Sequence, residues 1–162
     1  MKWLLMLVGA VAWLGLMGCG PTETAPPSCP DPAFGEVDEA CGVWVSASLG
    51  DDANPGTRAA PKASLSAAAA QAFDQEQDVY ACGELWTEPL ILSPNVSLHG
   101  GFDCEHGWKY SGESHLARIE TAPGEIPLTT SGVGGERLIA DVTLRAADAT
   151  VPGGSSIAVL IG

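Results

Sequence analysis

Two aspartates and an asparagine crowd into one short polar stretch, "GDDANPGT". Carboxylate and amide oxygens are the ligands that Ca²⁺ prefers, which makes Asp51, Asp52 and Asn54 a candidate calcium site. The EF-hand pattern is absent, because no glutamate closes the loop. The same side chains also suit a corner, since Asp and Asn accept hydrogen bonds from their own downstream amides and a Pro-Gly pair fits a type II turn. We predict a structural corner and keep calcium as the one candidate cofactor.

Aromatic residues beside polar loops form a second candidate site. Trp86, Trp108 and Tyr110 could offer flat faces on which sugar rings stack, so carbohydrate is a candidate ligand. Glu84 and Glu88 flank Trp86, but two carboxylates make a glycosidase pair only at a defined separation. The sequence therefore suggests binding here more than catalysis.

Acidic and histidine residues also cluster in "FDCEHGWKYSGESH". Asp103, Glu105 and His106 lie close together in sequence, but a solvated acidic loop is the more common explanation of such a cluster. The sequence contains no G-x-S-x-G, H-E-x-x-H or phosphate-binding glycine loop. We expect no catalytic residues in this chain.

Five cysteines point to an oxidising compartment. If Cys19 is modified separately, Cys29, Cys41, Cys82 and Cys104 remain and allow three disulfide pairings. Proximity in sequence favours Cys29–Cys41 and Cys82–Cys104.

Zinc is the alternative use of these thiols. Cys104 and His106 form a C-x-H, which Cys82 and His99 could complete. No second tight cysteine pair with zinc-finger spacing exists, so disulfides are the preferred interpretation.

The N-terminus has the form of an export signal. Lys2 is followed by a stretch without charge over 3–18, too short for a comfortable membrane span. An ordinary cleaved signal and a retained anchor are the alternatives for this segment. The segment ends in "LMGC", which resembles the lipobox of bacterial lipoproteins through Leu16, Gly18 and Cys19.

The lipobox resemblance implies three properties. A signal peptide over 1–18 would be removed, Cys19 would carry a diacylglyceryl group and a palmitate, and the chain would be held on a membrane by this lipid. Gly20 behind the cysteine resembles the outer-membrane sorting pattern, facing either the periplasm or the cell surface.

Charge and composition narrow the partners. The formal net charge is −13, and removing Lys2 with the signal leaves six basic against twenty acidic residues, or −14. Such a surface repels phosphate backbones, so we expect no nucleic-acid partner. Residues 19–40 are rich in proline and acid and predict a tether, followed by one domain over 41–162.

The domain begins with a strand in "CGVWVSAS" and continues into a helix over about 64–73, for which Ser64 is a plausible N-cap. Leu65, Ala69, Ala72 and Phe73 would share its buried face. Short β-rich runs follow at irregular spacings often near 20 residues, which is typical of a solenoid. A β-sandwich or a jelly roll is the alternative.

The order of these segments resembles the opening of bacterial right-handed parallel β-helix proteins of the pectate-lyase-like superfamily, including a domain of unknown function common in exported proteins. The resemblance is close over about 43–103 and implies a mostly β fold, a right-handed parallel β-helix whose N-terminal end is capped by the helix. The matching residues are Gly50, Asp52, Asn54, Pro55, Gly56, Thr57, Pro61, Leu65, Tyr80, Thr87, Glu88, Leu98, Gly100 and Gly101.

The last stretch, "SSIAVLIG", is an apolar strand without a cap. A solenoid normally carries terminal caps, so we expect either a chain truncated at the C-terminus or end-to-end stacking with another chain. The resemblance fits a non-catalytic structural, adhesive or recognition role in the cell envelope. A carbohydrate-binding lipoprotein and the remnant of a polysaccharide lyase or hydrolase are the alternatives.

Overall fold

The computed structural model describes residues 29–132 and 135–162. The predicted signal peptide over 1–18, the predicted lipidation site at Cys19 and the first part of the predicted tether lie outside the described residues. No helix in the described ranges is long and apolar enough to cross a membrane.

One α-helix, α1 (Leu65–Gln75), forms where small helix-favouring residues follow a capping serine. The Ser64 hydroxyl oxygen accepts a hydrogen bond from the Ala67 amide at 3.1 Å, and the helix ends where Glu76 adopts a left-handed conformation with φ 54°. Its buried face consists of Leu65, Ala68, Ala69 and Ala72. Phe73, which we expected on that face, is 50% exposed.

Eleven short strands and two 3₁₀ helices complete the described elements. The 3₁₀ helices cover Glu39–Cys41 and Gly112–His115. The strands are β1 (Gly42–Val45), β2 (Asp78–Cys82), β3 (Leu85–Trp86), β4 (Leu90–Leu92), β5 (Leu98–Asp103), β6 (Lys109–Tyr110), β7 (Ala117–Thr121), β8 (Leu128–Thr130), β9 (Ile139–Ala140), β10 (Val142–Ala146) and β11 (Val159–Ile161).

These strands form three separate sheets. The first has five strands in the order β1-β2-β5-β6, with β9 also paired to β5. The second has the order β10-β7-β3 and the third β11-β8-β4. All pairings are parallel except β5 with β6, which is antiparallel.

The predicted right-handed parallel β-helix is wrong. The described residues form a mixed α/β structure, with one helix and three short sheets of three to five strands, and no stacked solenoid is evident in them. A solenoid requires equivalent strands at a regular period. Here the strands vary from two to six residues, and β6 folds back antiparallel to its neighbour.

The core is built around a group of rings on the first sheet. Trp44 is fully buried and stacks on Tyr80, with ring centroids 4.8 Å apart. Phe102 and Trp108 meet Trp44 edge to face at 5.4 and 5.2 Å. Such pairs add stability beyond the area they bury, and burial raises the pKa of the Tyr80 hydroxyl to about 12.

Two disulfides join the cysteines that are neighbours in sequence. Cys29 is bonded to Cys41 and Cys82 to Cys104, with Cα atoms 5.5 and 5.7 Å apart. The predicted disulfides are therefore present in the structure. The zinc alternative is wrong, because the Cys82 and Cys104 sulfurs are bonded to each other.

Candidate functional site

The corner loop, residues 46–64, connects β1 to α1 and contains the candidate calcium ligands. Asp51 Oδ1 accepts the Ala53 amide at 2.8 Å, as an Asx-turn does. The Asn54 side-chain amide donates to the Pro61 carbonyl at 2.9 Å. These oxygens and amides therefore hold the loop itself together.

Asp52 is bound to the start of α1. Its carboxylate accepts the amides of Ala63 and Ser64 at 3.0 and 2.8 Å and the Ser64 hydroxyl at 2.9 Å. These bonds, the Ser64 amide first, hold the pKa of Asp52 below its usual value. A carboxylate at this position also interacts favourably with the positive end of the helix dipole.

Within the described ranges, no group of three or more His, Cys, Asp or Glu side chains is arranged to hold a metal ion. The contacts of Asp51, Asp52 and Asn54 agree with the corner interpretation.

The two glutamates beside Trp86 also serve local structure. Glu88 accepts the Leu65 amide at 2.8 Å, which supports the helix start. The Glu84 carboxylate accepts the Ser46 hydroxyl at 3.1 and 3.2 Å and the Ser48 hydroxyl, which fixes the beginning of the corner loop. Both carboxylates therefore accept hydrogen bonds from the chain around the corner loop and the helix start.

Trp86 does not present a stacking face. It is buried, and its indole N–H donates to the Ala63 carbonyl at 3.2 Å. The ring therefore packs beneath the corner loop.

The other two candidate rings lie on a cleft of about 380 Å³, which we call the aromatic cleft. Functional small-molecule sites begin at about this size. One wall is the segment 32–37, and the opposite wall comes from the loop between β5 and β6. The lining residues are Pro32, Gly35, Glu36, Val37, Arg58, Phe102, Gly107, Trp108, Lys109 and Tyr110.

Trp108 and Tyr110 contribute differently to this cleft. Trp108 is only 7% exposed, and its indole N–H donates to the Arg58 carbonyl at 3.0 Å, so little of its ring is available for stacking. Tyr110 is half-buried. Its hydroxyl donates to Asp141, and this bond is the main reason that the pKa of Tyr110 rises to about 12.

Arg58 is the residue that joins the two walls. Its guanidinium lies 4.3 Å from the centre of the Trp44 ring, a cation–π contact. The same group donates to the Val37 carbonyl, and the Arg58 amide donates to Glu39 at 2.8 Å. Arg58 therefore holds the segment 32–37 against the core.

A disulfide fixes that segment as well. Cys29 and Cys41, which are bonded to each other, bracket residues 32–37. The disulfide thus joins the chain on the two sides of this wall, and Arg58 holds the wall at Val37.

A second, smaller cleft of about 230 Å³ lies beside the Cys82–Cys104 disulfide. Here Asp103 lies 2.8 Å from His106 Nδ1 and 3.5 Å from His115 Nε2. Burial acts to raise the pKa of Asp103, but the hydrogen bonds from His106 outweigh it and hold the pKa below its usual value. Glu84 and Glu105 also line this cleft, and Glu84 is already bound to the corner loop.

His99 has a packing role. Its ring stacks on Tyr80 with centroids 5.1 Å apart, and its Nε2 lies 3.7 Å from Asp78. The ring is buried, so His99 is part of the packed core beside Tyr80.

Sequence reasoning identified two residues of the aromatic cleft, Trp108 and Tyr110, and missed the other eight. Lys109 lies between these two in sequence, whereas Arg58 and the segment 32–37 come from distant parts of the chain, and no spacing rule links them. The disulfide between Cys29 and Cys41 was the one available signal, because it predicted that the segment between them is held in place.

Comparisons with protein-family models, with curated proteins and with solved structures found no match. The resemblances to bacterial lipoproteins and to the pectate-lyase-like superfamily therefore have no independent support. Function has to be argued from the site.

Proposed function

We propose that this chain is an exported, lipid-anchored protein of the cell envelope with a non-catalytic recognition role, and that the aromatic cleft is its binding site. The observation that carries this proposal is the disulfide-fastened wall of the cleft. A wall fixed in advance reduces the ordering cost of binding. The disulfide in this wall also favours an oxidising compartment, because disulfides persist there.

The anchoring part of the proposal rests on the sequence. The "LMGC" segment would place a lipid on Cys19, ten residues before Cys29. Gly20 favours the outer membrane, with the domain facing the periplasm or the cell surface. An acidic domain on such an anchor suits display and adhesion more than contact with nucleic acid.

The non-catalytic part rests on the contacts of the acidic residues. Asp52, Glu84 and Glu88 each accept backbone amides, as structural carboxylates do. A general acid or base needs a substrate proton within hydrogen-bond reach. These carboxylates are directed at the chain itself.

The anchoring proposal is tested by metabolic labelling of a bacterial host with an alkyne fatty acid. The full chain should incorporate the label and fractionate with the outer membrane. The Cys19→Ala variant should not be labelled, whereas a Cys29→Ala variant should be. Labelling that survives Cys19→Ala would refute lipidation at this residue.

Carbohydrate is the second candidate ligand, and Tyr110 is the observation that favours it. Its ring is half-buried on the cleft, so part of it is available for stacking. A glycan array with the full chain in detergent should then show specific binding that Tyr110→Ala removes. Binding that persists in Tyr110→Ala but needs calcium would direct attention to the corner loop instead.

A further inference from the structure

We infer that the ligand of the aromatic cleft carries a carboxylate on an apolar body, the chemistry shared by a peptide C-terminus that ends in an apolar residue and by a small organic acid. This inference rests on the proposed recognition function and names the ligand class of the same site.

Charge is the first argument. The chain has only seven lysines and arginines against twenty acidic residues, yet two of the seven line this one cleft. Lys109 is exposed, and no acidic oxygen lies within 4.0 Å of its ammonium in the described residues. An unpaired ammonium on an acidic protein provides a local site for an anion.

Arg58 lines the same cleft and has unused donors. Its Nη1 reaches Glu36 only at 3.9 Å, which is longer than a hydrogen bond. Its Nε is buried and has no acceptor within the described structure. A carboxylate binds a guanidinium with charge-assisted hydrogen bonds, which are about twice as strong as neutral ones.

Hydrogen-bonding capacity is the second argument. The indole N–H of Trp108 and the hydroxyl of Tyr110 are already donated to Arg58 and Asp141. A neutral sugar with many hydroxyl groups would find few free partners among these rings. Three further lining residues, Pro32, Val37 and Phe102, are apolar and suit a hydrocarbon or aromatic body, and Glu36 is the acidic residue of the lining.

The test residue follows from the same contacts. Arg58 also holds the cleft wall, so replacing it would disturb the fold. The Lys109 ammonium makes no hydrogen bond or ion pair within the described residues, and Lys109→Gln removes a charge without removing a support. Arg118→Gln is the matched control, because Arg118 is also exposed and unpaired but lies on β7 and does not line the cleft.

The experiment is calorimetric titration of the detergent-solubilised full chain with N-acetyl-phenylalanine and with its neutral isostere N-acetyl-phenylalaninamide. We expect the acid to bind about tenfold more tightly than the amide, the difference that one hydrogen bond to a charged group provides. Lys109→Gln should remove most of this preference, whereas Arg118→Gln should leave it unchanged. The amide also controls for partition of the probe into micelles.

Further probes distinguish a peptide C-terminus from a small organic acid as the ligand. Binding of 3-phenylpropionate as tight as that of the acetylated amino acid points to a free organic acid, and tighter binding of N-acetyl-glycyl-phenylalanine points to a peptide C-terminus. Equal affinity for acid and amide would overturn the inference, as would an equal effect of Arg118→Gln.

A neutral sugar such as maltose, if it binds while both phenylalanine probes fail, would overturn the inference and leave the recognition function intact. Failure of every probe would overturn both the inference and the recognition site. Lipid labelling of Cys19 is scored separately, so loss of anchoring is distinguishable from loss of binding.

Discussion

Two strands of nearly the same composition have opposite environments in this molecule. Val43, Trp44 and Val45 of β1 are completely buried, whereas Val159, Leu160 and Ile161 of β11 are all exposed. The difference comes from the segments of the chain that lie beside each strand. The corner loop covers the free edge of β1, while β11 pairs only with β8 within the described residues.

Backbone hydrogen bonds join the corner loop to the edge of β1. The Trp44 amide donates to the Gly56 carbonyl at 2.8 Å, and the Lys62 amide donates to the Trp44 carbonyl at 2.9 Å. These bonds satisfy groups that an edge strand would leave open. Burial of an apolar strand therefore depends on which other segments of the chain pack beside it, and α1 lies against β1.

The largest effect is expected from Trp44→Ala. This ring contacts Tyr80, Phe102 and Trp108, and its removal should lower the free energy of unfolding by about 3–5 kcal/mol. Denaturant unfolding with the disulfides intact measures the change. A loss below about 1 kcal/mol would show that the buried rings around β1 do not control stability.

Removal of the Cys29–Cys41 disulfide should have the next largest effect. Opening a loop with a sequence separation of 12 should cost about 3 kcal/mol in the chain-entropy description. The paired variant Cys29→Ser with Cys41→Ser should also weaken ligand binding in the aromatic cleft, because the wall at 32–37 is released. The control is the pair Cys82→Ser with Cys104→Ser, which should lower stability while the wall stays fastened.

Gly50→Ala tests how tightly the corner loop is packed. A Cβ at this position would overlap backbone atoms of Lys62 and lie 2.5 Å from the Ser46 carbonyl oxygen, so the loop would have to shift. We expect a loss of about 1–3 kcal/mol, as for other overpacked sites. Gly35→Ala is the control, since its nearest neighbour would be Pro30 at 3.6 Å, and an equal loss there would contradict this explanation.

Asp52→Asn should cost less, about 1 kcal/mol or below, because the carboxylate is largely exposed and its interaction with the helix start is screened. The pKa of Asp52 is lower in the folded than in the unfolded state, so its stabilisation is complete above the ordinary value of 3.8 and is lost as the pH falls through the folded pKa. The slope of stability against pH below about pH 4 should therefore decrease in the variant. Asp148→Asn, in an exposed loop, is the control and should keep the slope.

Local features of the fold could be predicted from the sequence because their causes are local. Ser64 followed by alanines specifies a helix start, and the structure places α1 at Leu65–Gln75. The short loops between cysteines favoured the disulfide pairs that are observed.

Features that depend on distant parts of the chain could not be predicted. Phe73 has the spacing of a buried residue but is 50% exposed, on a cleft that it shares with Pro94, Asn95 and Val96. Strand spacing suggested a solenoid, yet spacing does not determine how strands assort into sheets. The aromatic cleft is lined by both Arg58 and Lys109, which are about fifty residues apart in sequence, and only the folded chain brings them to one site.

Ile161→Lys should have the smallest effect on stability, within about 0.5 kcal/mol, because the side chain is 80% exposed. Its effect on association should be larger. We predict that the exposed apolar strand β11 pairs with a second copy of the chain, and a lysine on an edge strand opposes such pairing. Light scattering of the detergent-solubilised chain should show concentration-dependent mass in the unmodified protein and less of it in Ile161→Lys. Phe73→Lys, at the exposed end of α1, is the matched control, and an equal decrease there would mean that general hydrophobicity, and not the strand edge, drives association.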